Sequence, residues 1–207
     1  MRQDEAERTG IERSRRDENS EATRQALLSA GREIFAREGY QAASMEAISR
    51  AARVTRGAFY HHFEDKKALF DAVVVAMQIE AADTIQQRAK AQRKIWDRLT
   101  AGIDAYLDVC LEPAYARIVI QEAPAILGGE RFQEIEEAHP MALLGATLNA
   151  LKRDGEIAFD DMGLLTRLLD AMICKVAIML PDADDAKKLR RNAHKLFDGL
   201  LANLRQK

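Results

Sequence analysis

At 207 residues, 47% hydrophobic and 31% charged, the chain is long enough for one or two packed domains and too apolar to be disordered throughout. No run approaches the ~18 to 20 apolar residues of a membrane span, and the N-terminus lacks the apolar core of a signal peptide, so the sequence predicts a cytoplasmic protein with no membrane partner. A net charge of −2 excludes a broadly basic nucleic-acid binder, so any such partner must be served by a local patch.

All four prolines, at 113, 124, 140 and 181, fall in the second half of the chain. Glycine is sparse, hairpin signals are missing, and stretches rich in Ala, Leu, Glu and Arg favour helix, so the fold class is all-α. Residues 1–19 have Ile11 as their only large aliphatic residue and predict a mobile, solvated charged arm. Phosphate contacts by Arg13, Arg15 and Arg16 are the alternative use of that arm. Residues 20–70 carry eight basic against six acidic groups, a local excess of two.

From Ser20, Leu27, Gly31, Ile34 and Phe35 recur at helical spacing, and Gly39 stops that helix. Ser44 stands where an N-cap would open MEAISRAA, with Met45, Ile48 and Ala52 on one face. A turn, Arg53-Val54-Thr55, leads into RGAFYHHF, and a long helix follows from Lys66 with Leu69, Phe70, Val73, Val74 and Met77 in a stripe. Beyond it the pattern reads as a bundle. Helices are predicted over Ile95–Leu111, from Pro113 to near Pro124, to about Arg153 with Pro140 as a start or kink, from an Asp160 or Asp161 cap to Pro181, and from Ala183 to Arg205. Cys110 and Cys174 lie in apolar helical patterns and read as buried free thiols.

Helix, short turn, helix is the geometry that sets a second helix into the major groove of DNA. RGAFYHHF suits that helix. Arg56 can fork onto guanine O6 and N7, Gly57 and Ala58 permit close approach, and Tyr60, His61 and His62 supply donors to bases or phosphates. Phe59 and Phe63, four apart, anchor the opposite face. Adjacent His61 and His62 diverge by ~100° with no further ligand at metal spacing, so neither a metal nor a cofactor is expected.

Residues from about Thr23 to Val73 resemble the DNA-binding region of the tetracycline-repressor (TetR) family, through Ile34-Phe35, Gly39-Tyr40, Ser44, Ile48, Val54, Gly57, Phe59-Tyr60, His62-Phe63, Lys66 and Leu69-Phe70. The resemblance implies that Arg56, Gly57 and Ala58 face bases, that Tyr60 and His61 contact bases or adjacent phosphates, and that Ser44, Thr55, His62 and Lys66 contact the backbone of a double-stranded operator. Two positions depart from the family pattern: Arg53 replaces a frequent glycine, and His61 a frequent Tyr or Trp. The implied architecture is a three-helix helix-turn-helix domain over 20–68, followed by a helical ligand-binding and dimerisation domain over 69–207.

The resemblance further implies a homodimer joined through the last two helices, with Leu165, Leu168, Leu169, Met172, Leu196 and Leu200 at the interface. It implies a small-molecule effector as well, for which Trp96, Tyr106, Cys110, Tyr115, Gln121, Phe132 and Met141 are candidate pocket residues that core packing would explain equally. The implied function is a ligand-released repressor rather than an enzyme. An activator of the same fold, or a helical small-molecule-binding protein without DNA activity, is the alternative.

Overall fold

A computed structural model describes the backbone of residues 2–205 and the side chains from Glu18 to Arg205. The chain divides into two compact units, Met1–Val73 and Val74–Lys207, with the division inside a helix rather than at residue 68. Among the described residues regular structure is helical, apart from one isolated bridge between Ile157 and Arg205.

In the first unit, α1 runs from Arg2 to Glu38, α2 from Met45 to Ala51 and α3 from Arg56 to His62, and α4 begins at Lys66. Helix α1 starts well before Ser20, where order was predicted to begin. The first nineteen residues hold no proline and are rich in Glu and Arg, so intrinsic propensity favours helix even without an apolar face. Arg13, Arg15 and Arg16 lie outside the residues whose side chains are described. The helix ends where Gly39 takes a positive φ of 84° and returns its N–H to the Phe35 carbonyl at 2.9 Å. Leu27, Ile34, Phe35, Ile48, Phe59, Leu69 and Phe70 are buried together. At Gly31 the helices approach so closely that a Cβ would stand 3.1 Å from the Leu69 side chain.

In the second unit, α4 continues to Lys90, and α5 spans Ile95–Val109. Helix α6 (Pro113–Tyr115), a π-helical stretch (Ala116–Glu122) and α7 (Ala123–Leu127) form one run, with Pro113 in its first turn. This run passes through Pro124, which was predicted to end it. Pro124 has no N–H to give the Ile120 carbonyl, and the helix widens just upstream, so that Ala123 N–H reaches Ile118 instead. Gly128, at φ 91°, then turns the chain into α8 (Gly129–Ala138). Pro140 opens α9 (Pro140–Arg153).

Asp161 accepts from Leu164 N at 2.8 Å to cap α10 (Met162–Met179), and Asp185 accepts from Lys188 N at 2.8 Å to cap α11 (Ala186–Ala202). Charged groups clasp α11 to α5. Arg190 donates to Asp108 at 2.8 Å, and His194 meets Asp104 at 2.9 Å and Asp198 at 3.2 Å. Burial opposes ionisation of Asp108, but Arg190 and Arg88 prevail and hold its carboxyl below the usual range.

Candidate nucleic-acid interface and internal cavity

Both helices of the α2–turn–α3 pair begin with a side-chain cap. Ser44 Oγ accepts from Ala47 N and Thr55 Oγ1 from Ala58 N, each at 3.1 Å. These bonds hold the two helix starts in extended-to-helical turns, the geometry in which remaining N-terminal N–H groups can meet an anion. Between the helices Arg53 occupies the left-handed region at φ 56°, among the described residues the one non-glycine there. The turn therefore keeps the shape that glycine would give it, at a cost of about 1 kcal/mol for the Cβ.

Helix α3 is two-faced. Phe59 and Phe63 are buried, whereas Arg56, Gly57, Tyr60 (42% exposed) and His61 lie open, with Ala58 and His62 half-buried at the border. Arg56 is held loosely on this surface, 3.5 Å from the Glu46 carboxylate and 3.4 Å from the Tyr60 hydroxyl. Both partners are exposed, so little free energy opposes its transfer to another acceptor. Gly57 has no structural necessity: its φ is not positive, and an added Cβ would meet nothing closer than Thr55 Oγ1 at 3.9 Å. Glycine in a helix costs about 1 kcal/mol relative to alanine. Burial, then the neighbouring His61 and Arg24, hold His62 below the usual imidazole range.

Lys66, expected at a phosphate, is already committed. Its ammonium donates to the carbonyls of Tyr40 and Ala43 at 2.8 Å and of Gln41 at 3.3 Å, and sits 4.5 Å above the Tyr40 ring. Three carbonyls of the α1–α2 turn use its three N–H bonds, so its role in this structure is to fix that turn. The partners lie 23 to 26 residues upstream, a distance no local pattern reveals.

The second unit holds a half-open cavity of about 270 Å³ between α4, α5, α9 and α10. Its walls include Ile85, Ile95, Leu99, Ile103, Leu143 and Ile173, with Lys90, Arg98, Tyr106, Thr147 and Asp170 as polar members. Of the seven pocket candidates, Tyr106 alone lines it. Cys110 and Tyr115 are buried in the core, and the Tyr115 hydroxyl donates to Gln78 at 2.8 Å. Trp96 lies beneath Arg205 at 5.2 Å, Gln121 is exposed, and Phe132 and Met141 are half-buried away from the cavity. The expectation favoured bulky residues with a polar atom, whereas space opens where side chains are small. Gly102, Ala89, Ala146 and Ala150 were the available signal.

The outward faces of α10 and α11 carry Leu164, Leu168, Met172, Leu196 and Leu200, between 40% and 58% exposed. Leu165 and Leu169, expected with them, are instead 7% and 3% exposed and pack into the protomer's own core. One residue on a helix turns the side chain by ~100°, so these two sit on the inner stripe with Ile173.

Known proteins share this organisation. Residues 27–73 match the family described as bacterial regulatory proteins, tetR family, and residues 96–204, more than half of the chain, match the tetracyclin repressor-like C-terminal domain. The Transposon Tn10 TetC protein of Escherichia coli is 28% identical over 195 residues, covering 94% of this chain and 98% of that one. The HTH-type transcriptional regulator UidR of Escherichia coli K12 is 40% identical over 62 residues, 30% of this chain and 32% of UidR. The crystal structure of a TetR-family transcriptional regulator from Pectobacterium atrosepticum superposes with a TM-score of 0.77 at 30% identity, covering 91% of this chain and 97% of that one. With a capped helix-turn-helix in its first unit and a helical bundle in its second, the chain belongs to the TetR family of DNA-binding transcriptional regulators.

Proposed function

We propose that the protein is a cytoplasmic homodimeric repressor, and not an enzyme, that reads a palindromic operator with α3 and releases it when a small molecule occupies the α5 cavity. The observation that carries this reading is the division of α3 into a buried aromatic face and an open face of Arg56, Gly57, Tyr60 and His61. Ser44, Thr55 and His62 border that face and serve the phosphates, and Ala58 completes the surface against the bases. Lys66 acts through the turn it fixes. The exposed leucines of α10 and α11 form the contact with a second copy, since isologous pairing of these two faces buries them and presents α3 twice. Release is a shift between two conformations that the ligand binds unequally.

The test is a titration of the full-length protein with DNA from upstream of its own gene at several salt concentrations. The expected result is one dimer per palindromic site, with a steep fall in affinity as salt rises. Arg56→Ala is expected to lose about 1–3 kcal/mol of discrimination against a mismatched operator while keeping most non-specific binding. Equal affinity of the parent and this variant for operator over random DNA overturns the assignment.

A further inference from the structure

We infer that the cavity takes an elongated, mostly apolar molecule bearing a cationic amine, lodged with that amine against Asp170. The inference rests on the effector-cavity reading and names its ligand class. The space between the four helices is what makes a site; its polar groups decide what fits. Arg98 and Tyr106, eight residues apart on α5, both line it, which sets its length near 12 Å at ~1.5 Å per residue. Between them the walls are aliphatic, which selects a hydrocarbon body.

The two ends differ in how their charges are satisfied. At the Arg98 end, Arg98 donates to the Gln92 carbonyl at 3.0 Å and exposed Lys90 to Gln86 at 2.9 Å. An acidic ligand group there would gain from Lys90 an ion pair open to water, worth little, and would have to draw half-buried Arg98 from the Gln92 carbonyl it already serves. At the Tyr106 end two carboxyls converge on one thiol: Cys174 Sγ lies 3.8 Å from Asp170, 3.7 Å from Glu136 and 4.0 Å from the Tyr106 hydroxyl. Among the described residues no ion pair joins either carboxyl to a cation, and no group of three side chains stands close enough to hold a metal. Burial, then the charge of Asp170, push Glu136 up to about 7, and burial raises Asp170 too. A cation delivered to this end relieves both effects at once, in surroundings where charges are weakly screened. The larger gain therefore lies with an amine at Asp170.

Calorimetric titration of the full-length protein at pH 7.5 with decylamine, decanol and decanoate, one chain with three head groups, separates the possibilities. Decylamine is expected to bind at least tenfold more tightly than the other two. Asp170→Asn should remove that preference and leave decanol unchanged, and Glu136→Gln should reduce it in a protein whose Asp170 is intact. Gly102→Phe, placed where a Cβ has only Ile85 at 3.6 Å, should fill the cavity and abolish binding of all three. Equal binding of amine and alcohol, or tighter binding of decanoate, overturns the amine preference while leaving the cavity as the binding site. Failure of all three to bind the parent, or undiminished binding to Gly102→Phe, overturns the effector-cavity reading and the inference with it.

Discussion

Gly57 shows how a single position separates fold from function. Nothing in the chain's own packing requires glycine there, so Gly57→Ala should stabilise the protein by about 0.5–1 kcal/mol, read as a higher melting temperature. The same variant should weaken operator binding if, as proposed, Gly57 faces the bases, because the added methyl group would stand in their way. A variant that gains stability with unchanged operator affinity would remove Gly57 from the interface. Lys66 makes the opposite case. Lys66→Met keeps the apolar stem but leaves the Tyr40, Gln41 and Ala43 carbonyls without their donor, with an expected loss of about 1–3 kcal/mol of stability. A simple phosphate contact would leave thermal stability untouched. The cap at Ser44 was legible because it is fixed by the three or four residues that follow it. The role of Lys66 was not, because its partners are brought to it by the fold.

At the scale of elements, α10 was read as a helix capped by Asp160 or Asp161, of which Asp161 is the cap, but its two faces were merged. Its residues are apolar nearly all round, so hydrophobicity alone cannot tell the stripe of Leu165, Leu169 and Ile173 from that of Leu164, Leu168 and Met172. The structure separates them, and mutation should as well. Leu165→Ala removes core volume and should cost about 2–5 kcal/mol of stability. Leu168→Glu should leave helicity intact by circular dichroism while shifting the protein from dimer to monomer in sedimentation and abolishing operator binding. Dimeric Leu168→Glu would move the interface elsewhere. The run from Pro113 to Leu127 was misjudged for a different reason. A proline inside a helix commonly marks its end, but widening to i−5 bonding lets this chain pass Pro124 without breaking.

For the whole molecule, the helical bundle places acidic groups where water is scarce, and this couples its stability to pH. Glu136 is held at about 7 against an ordinary value of 4.5, so between these values the folded chain keeps a proton that the unfolded chain has lost. The contribution of this group is therefore greatest at low pH and declines as pH rises through about 7. Each unit of displacement is worth about 1.4 kcal/mol, which makes the decline one of a few kcal/mol. Glu136→Gln should raise the melting temperature clearly at pH 8, with the gain shrinking towards pH 5. An equal gain at both values would show that ionisation is not the cause. The all-α architecture and the order of its two units were legible throughout, because proline spacing, caps and apolar periodicity are local. The cavity was not, because it is defined by what four helices leave unfilled.

Trp96 is the only tryptophan in the chain, and it lies under the Arg205 guanidinium at 5.2 Å, beside the cavity residue Ile95. Its indole is thus a single native fluorophore on α5, one residue from the cavity wall, with a charged neighbour that tunes its emission. A compound library can be screened by watching the intrinsic fluorescence of the unlabelled protein, with no dye, reporter gene or knowledge of the regulated promoter.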